Sequence, residues 1–183
     1  KEYRRQRQMC IRDRTSGVHN ILVFFGGVDA ANLTGRVLDV LINLNLSIKV
    51  NVVIGQQHPQ KEKIEQQCAQ HHFKCHIQSI QIAKLMAQAD LAIGAGGTSV
   101  WERCSLGLPS VCIAIADNQA QQLHDLKLAG LVFSPPRQED SFSYLVSFLE
   151  NLGSESKLLQ TQSQKGMALV DGKGAVRVAT ALN

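Results

Sequence analysis

The chain has 183 residues, 44% of them hydrophobic, which is enough to bury the core of one α/β domain. Its formal net charge of +4 comes entirely from residues 1–14, because the remaining residues carry equal numbers of acidic and basic groups. A broad nucleic-acid-binding face is therefore excluded. No stretch approaches the roughly 18 apolar residues of a membrane helix, so we expect no membrane partner. Five cysteines without a CxxC pair predict reduced thiols in the cytoplasm.

Strands and helices are predicted to alternate along the chain. Residues 1–19 predict a basic linker or part of an interdomain segment, and residues 20–183 form the domain. Strands are predicted at 21–25, 48–54, 73–76, 91–93, 111–115 and 131–133. Helices are predicted at about 32–45, 59–70, 80–88, 99–106, 119–129, 140–152 and 155–169, with a last helix to 182. This alternation is typical of a doubly wound, Rossmann-like parallel sheet, in which ligands bind at the carboxyl ends of the strands.

The most informative segment is residues 91–118, LAIGAGGTSVWERCSLGLPSVCIAIADN. A buried strand is followed by a glycine turn at 94–97, and Thr98 and Ser99 then open a helix. Such a turn lets backbone N–H groups approach a phosphate, and the glycines at 26–27 end the first strand at the same edge. The spacing matches neither GxGxxG nor GxxxxGK[ST]. Because such turns also have purely structural roles, the residues alone leave phosphate binding and a structural turn equally open.

Two interpretations of Glu102 compete. With Ser99 it fits a capping box, in which the carboxylate folds back on the Ser99 N–H and only stabilises the helix. Alternatively, Glu102 lies one turn into the helix and accepts hydrogen bonds from ribose hydroxyls, to one side of a phosphate that would repel it. Of its neighbours, we expect Trp101 to fill a gap beneath the turn and Arg103 to be solvated.

Other polar segments carry weaker signals. Asp117 and Asn118 follow a strand and either cap the next helix or face a sugar. The Cys- and His-rich run at 68–76 has metal-ligand residue types, but no second pair lies at zinc-finger spacing, so no metal site is predicted. The sequence shows no pattern typical of a nucleophilic triad or of a catalytic carboxylate pair, so no catalytic residue is assigned in this chain.

From about residue 21 to 182 the sequence resembles the UDP-2,4-diacetamido-2,4,6-trideoxy-β-L-altropyranose hydrolases of pseudaminic acid biosynthesis. The resemblance rests on GAGGT, WERC, GLP and ADNQ in this order, together with ILVFFGGVDAANLT, LMAQADLAIGAGG and ALVDGKGAVRVATAL. These hydrolases are related to the UDP-N-acetylglucosamine transferases of peptidoglycan synthesis and share their glycosyltransferase-B architecture, in which two Rossmann-like domains face each other across a cleft. The resemblance implies that this chain is the C-terminal, UDP-binding half.

The resemblance also implies roles for particular residues. The turn at 94–97 would hold the diphosphate, and Glu102 would bind the ribose. The backbone at Ser79 and Ile80 would bind the uracil edge, and Asn118 and Gln119 would face the sugar. The first glycine turn would close the other side of the phosphate site. The implied substrate-binding set is Gly26, Gly27, Asp29, Ser79, Ile80, Gly94, Gly96, Gly97, Thr98, Ser99, Glu102, Asn118 and Gln119. No cofactor or metal is implied.

The family's catalytic base is a histidine in a glycine-histidine motif of the N-terminal domain. His19 does not match that motif, because it directly abuts a strand of the C-terminal domain. We therefore expect a partial chain that binds UDP weakly, hydrolyses nothing alone and lacks its catalytic partner domain. The donor-binding half of a glycosyltransferase and a non-catalytic nucleotide-sugar-binding module remain alternatives.

Overall fold

The computed structural model describes residues 17–116 and 118–181. The strands are β1 (Asn20–Phe24), β2 (Lys49–Ile54), β3 (Lys74–Ile77), β4 (Leu91–Ala95) and β5 (Ser110–Ile113). The helices are α1 (Leu33–Leu44), α2 (Lys61–Gln70), α3 (Ile82–Gln88), α4 (Ser99–Ser105), α5 (Asn118–Leu128), α6 (Ser141–Glu150), α7 (Ser156–Leu169) and α8 (Gly174–Ala181). Most of the predicted basic linker, Cys10 and the end of the predicted last helix lie outside the described residues.

The sheet is parallel and doubly wound, as predicted. Its strand order is β3-β2-β1-β4-β5, so the chain moves outward from β1 to β3 and then crosses back to the other side of β1. The direction therefore reverses between β1 and β4, where Phe24 pairs in register with Gly94. In such sheets the crevice above this reversal is where ligands bind.

The core covers both faces of the sheet. Along β1, Ile21 and Val23 belong to a cluster that packs under α1, α6 and α7, whereas Leu22 belongs to a second cluster with Met86 of α3 and Leu106. Burial on both faces explains why the central strands β1 and β4 carry continuous apolar runs rather than alternating ones. Within the described ranges, no helix is long and apolar enough to cross a membrane.

Two predicted boundaries are wrong. The predicted strand at 131–133 is a single bridge between Phe133 and Val111, because Pro135 and Pro136 follow and have no N–H groups with which to continue the ladder. The helix predicted from residue 80 begins at Ile82, because the Ser79 Oγ accepts a hydrogen bond from the Gln81 N–H at 3.1 Å and holds the chain in a turn. The other strands and helices lie within a few residues of their predicted positions.

Candidate functional site

The two glycine turns meet at the reversal point, and two of their glycines are required by packing. A Cβ added at Gly94 would overlap the carbonyl oxygen of Phe24, and one added at Gly96 would lie 2.6 Å from Leu123 Cδ2 of α5. Neither glycine has a positive φ, so close approach explains their presence rather than backbone freedom. The structural interpretation of the turn therefore accounts for Gly94 and Gly96.

Packing gives no such reason for the glycines at positions 27 and 97. A Cβ at Gly97 would meet nothing closer than Gln119 Nε2 at 3.7 Å, and one at Gly27 would meet no atom within 4 Å. Both α-carbons face the open space above the sheet edge. The Gly27 carbonyl, by contrast, packs directly against the Gly55 backbone at the end of β2. The fold tolerates a side chain at Gly27 and Gly97, so the absence of one leaves room for a ligand.

The turn presents a row of backbone donors. In the part of the chain that the structure describes, the N–H groups of Gly97 and Thr98 have no hydrogen-bond acceptor, whereas that of Gly96 continues the ladder between β4 and β5, in which Ala95 pairs with Ile113. Beyond Ser99, the N–H groups of Val100 and Trp101 already bond to the Gly97 and Thr98 carbonyls at 3.0 and 3.1 Å. Successive backbone N–H groups in a concave turn form a binding site for an anion.

The side chains of α4 occupy the opposite positions to those predicted. Arg103 is buried, at 3% exposed, whereas Trp101 is 39% exposed. The guanidinium lies beneath the turn, where Nη2 donates to the Ala95 carbonyl at 2.6 Å and Nε to the Ser99 carbonyl at 3.2 Å. These bonds place Arg103 on the inner face of the helix and leave Trp101 on the outer face. The prediction of a solvated arginine and a buried tryptophan is wrong.

Glu102 is exposed on the same outer face. The N-cap of α4 is Thr98, which makes no side-chain capping bond, and the Ser99 Oγ accepts from Arg103 Nη2 at 3.4 Å instead. The capping-box interpretation is therefore wrong. Among residues 17–116 and 118–181, the Glu102 carboxylate has no hydrogen-bond donor, so both of its oxygens are available to a ligand.

The start of α5 also borders the turn. Gln119 accepts a hydrogen bond from the Ile115 N–H through Oε1 at 3.2 Å, which fixes the amide group. Its Nε2 therefore faces Gly97 and can donate to a ligand. Asn118 is the first residue of α5, and Asp117 lies outside the described residues.

A cavity of about 610 Å³ lies on the other side of β1, at the ends of β1, β2 and β3. Its floor is apolar and includes Phe24 and Ile54, and its rim includes Gly27, Ser79 and Ile80. The volume is within the range of ligand pockets. The structure thus brings Gly27, Ser79 and Ile80 together, whereas the 94–102 segment and Gln119 do not line this cavity and lie across the reversal point.

Asp29 stabilises the loop that follows the glycine turn at 26–27 through hydrogen bonds within the protein. Its carboxylate accepts hydrogen bonds from the Leu33 and Thr34 N–H groups at 2.9 and 2.8 Å and lies 3.4 Å from His58 Nε2. His58 Nδ1 accepts from the Gln60 N–H, so Nε2 carries the proton and donates to Asp29. Asp29 therefore caps α1 together with the N-cap residue Asn32, whose side chain accepts from the Gly35 N–H at 3.3 Å, and both Asp29 carboxylate oxygens are occupied within the protein. His58 was missed; its position just after β2, at the same sheet edge, was the available signal.

Metal-ligating residues do not converge. Within the described ranges, no group of three or more His, Cys, Asp or Glu side chains could hold a metal ion. In the 68–76 run, Cys68 is buried while His71 and His72 are exposed. A helix passing into a strand sends these side chains in different directions.

The fold and the site define a Rossmann-like domain with a glycine turn at its reversal point. The profile of the glycosyltransferase family 28 C-terminal domain matches residues 20–173, so the chain belongs to this family. It is similar to the spore coat polysaccharide biosynthesis protein SpsG of Bacillus subtilis, with 30% identity over 175 residues that cover 89% of this chain and 49% of SpsG.

Solved structures share the fold. MurG of Acinetobacter baumannii has a TM-score of 0.70 at 22% identity, covering 93% of this chain and 52% of the MurG chain. The spinosyn rhamnosyltransferase SpnG, complexed with thymidine diphosphate, has a TM-score of 0.64 at 13% identity, covering 91% of this chain and 46% of SpnG. The chain thus spans about half the length of these proteins.

Proposed function

We propose that this chain is the UDP-binding half of a UDP-sugar hydrolase that releases UDP and a 2,4-diacetamido-2,4,6-trideoxyhexose by water attack at the anomeric carbon. One observation carries the proposal: the N–H groups of Gly97 and Thr98, which have no acceptor among the described residues, lie at the reversal point of the sheet. The oxygens of a diphosphate are suitable acceptors for such a row of donors. The resemblance to the pseudaminic acid pathway hydrolases supports the choice of sugar.

The proposed ligand spans both sides of β1. The diphosphate would lie on the turn at 96–98, close to the bare α-carbon of Gly27, and the ribose hydroxyls would donate to the free carboxylate of Glu102. The uracil would occupy the 610 Å³ cavity and pair with the backbone at Ser79 and Ile80. Asp29 would contribute indirectly, because it fixes the loop through α1.

The sugar would lie towards α5. Gln119 Nε2 would donate to a sugar hydroxyl, with Asn118 beside it. As the bond between the anomeric carbon and the UDP oxygen breaks, negative charge grows on the diphosphate, and the donors of the turn stabilise it. The histidine that activates water would lie in another part of the protein. We place the protein in the cytoplasm, where the free thiols of the described cysteines stay reduced.

The donor-binding half of a glycosyltransferase is the second candidate. The family itself and the thymidine diphosphate bound to SpnG favour it. Both candidates use the same nucleotide site and differ in the group that attacks the sugar. Incubating a chain that carries the facing domain with UDP-sugar in water, without an acceptor, separates them: a hydrolase releases free sugar and UDP, and a transferase does not. A non-catalytic binding module would also release nothing.

Titration of the isotopically labelled chain with UDP tests the site. We expect amide resonances of Gly96, Gly97 and Thr98 to shift together with those of Ser79 and Ile80. Uridine should shift only the second group and pyrophosphate only the first, because each ligand fills one part of the site. Gly153, in an exposed loop, serves as the internal control. Unchanged resonances in both groups at millimolar UDP would contradict the proposal.

A further inference from the structure

Arg103 places a positive charge in the protein interior, directly beneath the glycine turn. Its guanidinium bonds to the Ala95 carbonyl at the end of β4 and to the Ser99 carbonyl in α4. These two carbonyls flank the turn, so a single side chain fixes both of its ends. The function proposed above assigns this residue no role.

The described residues supply no counter-charge for this guanidinium. In the ranges 17–116 and 118–181, no carboxylate forms an ion pair with Arg103. Its ionisable neighbours are two thiols: burial raises the pKa of Cys104 to about 11 and also raises the pKa of Cys112, so both are neutral. A buried charge that has lost its hydration is costly unless an opposite charge lies nearby.

The bond to Ala95 also connects Arg103 to the proposed ligand. The Ala95 carbonyl belongs to the peptide unit that leads into the turn, and the N–H groups of Gly97 and Thr98, which have no acceptor among the described residues, follow directly. By bonding to the carbonyls on either side of these donors, the cation fixes the donors in place and adds its positive charge beneath them. One layer of backbone therefore separates the guanidinium from an anion on the turn.

We infer that Arg103 is a positioning residue that makes the site selective for a doubly phosphorylated nucleoside, because the diphosphate on the turn supplies the counter-charge that the described protein groups lack. This inference rests on the proposed function. The guanidinium is too buried to touch the ligand itself, so it acts through the turn. Because the region between them is protein rather than water, their attraction is weakly screened.

The affinities of UDP and uridine for the wild-type chain and for Arg103→Met test the inference. Methionine keeps much of the apolar volume and removes the charge. We expect UDP binding to weaken about tenfold or more while uridine binding changes by less than about twofold. Arg103→Lys keeps the charge but cannot bond to both the Ala95 and the Ser99 carbonyl as the guanidinium does, so we expect an intermediate loss of UDP affinity. Arg137→Met, at an arginine whose side chain is 75% exposed, removes the same formal charge and should leave the UDP-to-uridine ratio unchanged.

A measurement on the wild-type chain covers the case in which the variants do not fold. The Nε–H resonance of the buried Arg103 should shift when UDP is added and remain in place with uridine. An unchanged UDP-to-uridine ratio in a folded Arg103→Met chain, or an Nε–H that responds equally to both ligands, would overturn the inference alone. A wild-type chain that binds neither ligand would overturn the proposed function instead.

Discussion

At the scale of single residues, Glu102 and the buried Arg103 show how one helical turn separates two charged neighbours. The carboxylate is exposed and has no partner among the described residues, whereas the guanidinium is bonded on the inner face. Neither position follows from the sequence, because α4 has only seven residues and shows too little periodicity to fix its inner face. The residue types at the site could be predicted; their orientation depends on bonds to Ala95 and Ser99.

Replacing Glu102 by alanine separates a ligand contact from a helix cap. Because α4 has no side-chain cap, we expect the free energy of unfolding to change by less than about 0.5 kcal/mol. UDP affinity should fall about tenfold, since two charge-assisted hydrogen bonds to the ribose are lost. Calorimetric titration and thermal melting measure the two effects, and Glu150→Ala, at an exposed position of α6, is the control. A stability loss of about 1 kcal/mol with unchanged UDP affinity would instead support the capping-box interpretation of Glu102.

The adjacent glycines at positions 96 and 97 should respond differently to alanine. At Gly96 the new Cβ would press on Leu123, and we expect a loss of about 1–3 kcal/mol in stability. At Gly97 the Cβ enters open space, so stability should hold while UDP affinity falls because the methyl group occupies the position of the diphosphate. Denaturant unfolding and UDP titration measure both, with Gly153→Ala as the matched control. A Gly97→Ala chain that binds UDP normally would show that the turn does not hold the ligand.

At the scale of elements, the junction of α2 and β3 brings two thiols together. A hydrogen bond from the Cys68 thiol lowers the pKa of Cys75, which is half-buried, while burial raises the pKa of Cys112. A lower pKa gives Cys75 more thiolate at neutral pH than an ordinary thiol has, and thiolate is the reactive form. Alkylation followed by peptide mass spectrometry should therefore label Cys75 before the other three described cysteines, Cys68, Cys104 and Cys112. Equal labelling rates for Cys75 and Cys112 in the folded chain would contradict this.

The order of elements was the most predictable feature. Apolar runs located the inner strands of the sheet, because an inner strand of a parallel sheet is buried on both faces. The prediction of a sixth strand was wrong because hydrophobicity does not show whether a hydrogen-bonded ladder continues. Here Pro135 and Pro136 end the ladder after one bridge. The position of His58 after β2 indicated the correct sheet edge, but its pairing with Asp29 could not be predicted, because the two residues lie on different loops.

For the whole molecule, the chain covers about half of SpsG and MurG, so its own catalytic competence can be tested directly. If water is activated by a group outside this chain, the chain should bind UDP-sugar and release no UDP above a protein-free blank. Chromatographic quantification of UDP over hours measures this, and a two-domain relative provides the positive control. Steady release of UDP by the chain alone would place a catalytic group among its own residues.

The backbone contact between Gly55 and Gly27 affects how a mutational scan of this domain would be interpreted. Any side chain at Gly55 would displace the Gly27 carbonyl and with it the loop that borders the turn. Replacements at Gly55 would therefore abolish nucleotide binding although this residue lies one strand away from the proposed phosphate position. A scan scored on binding alone would rank Gly55 with the ligand contacts, and only a parallel measurement of folding would identify its role as a close packing contact between two neighbouring loops.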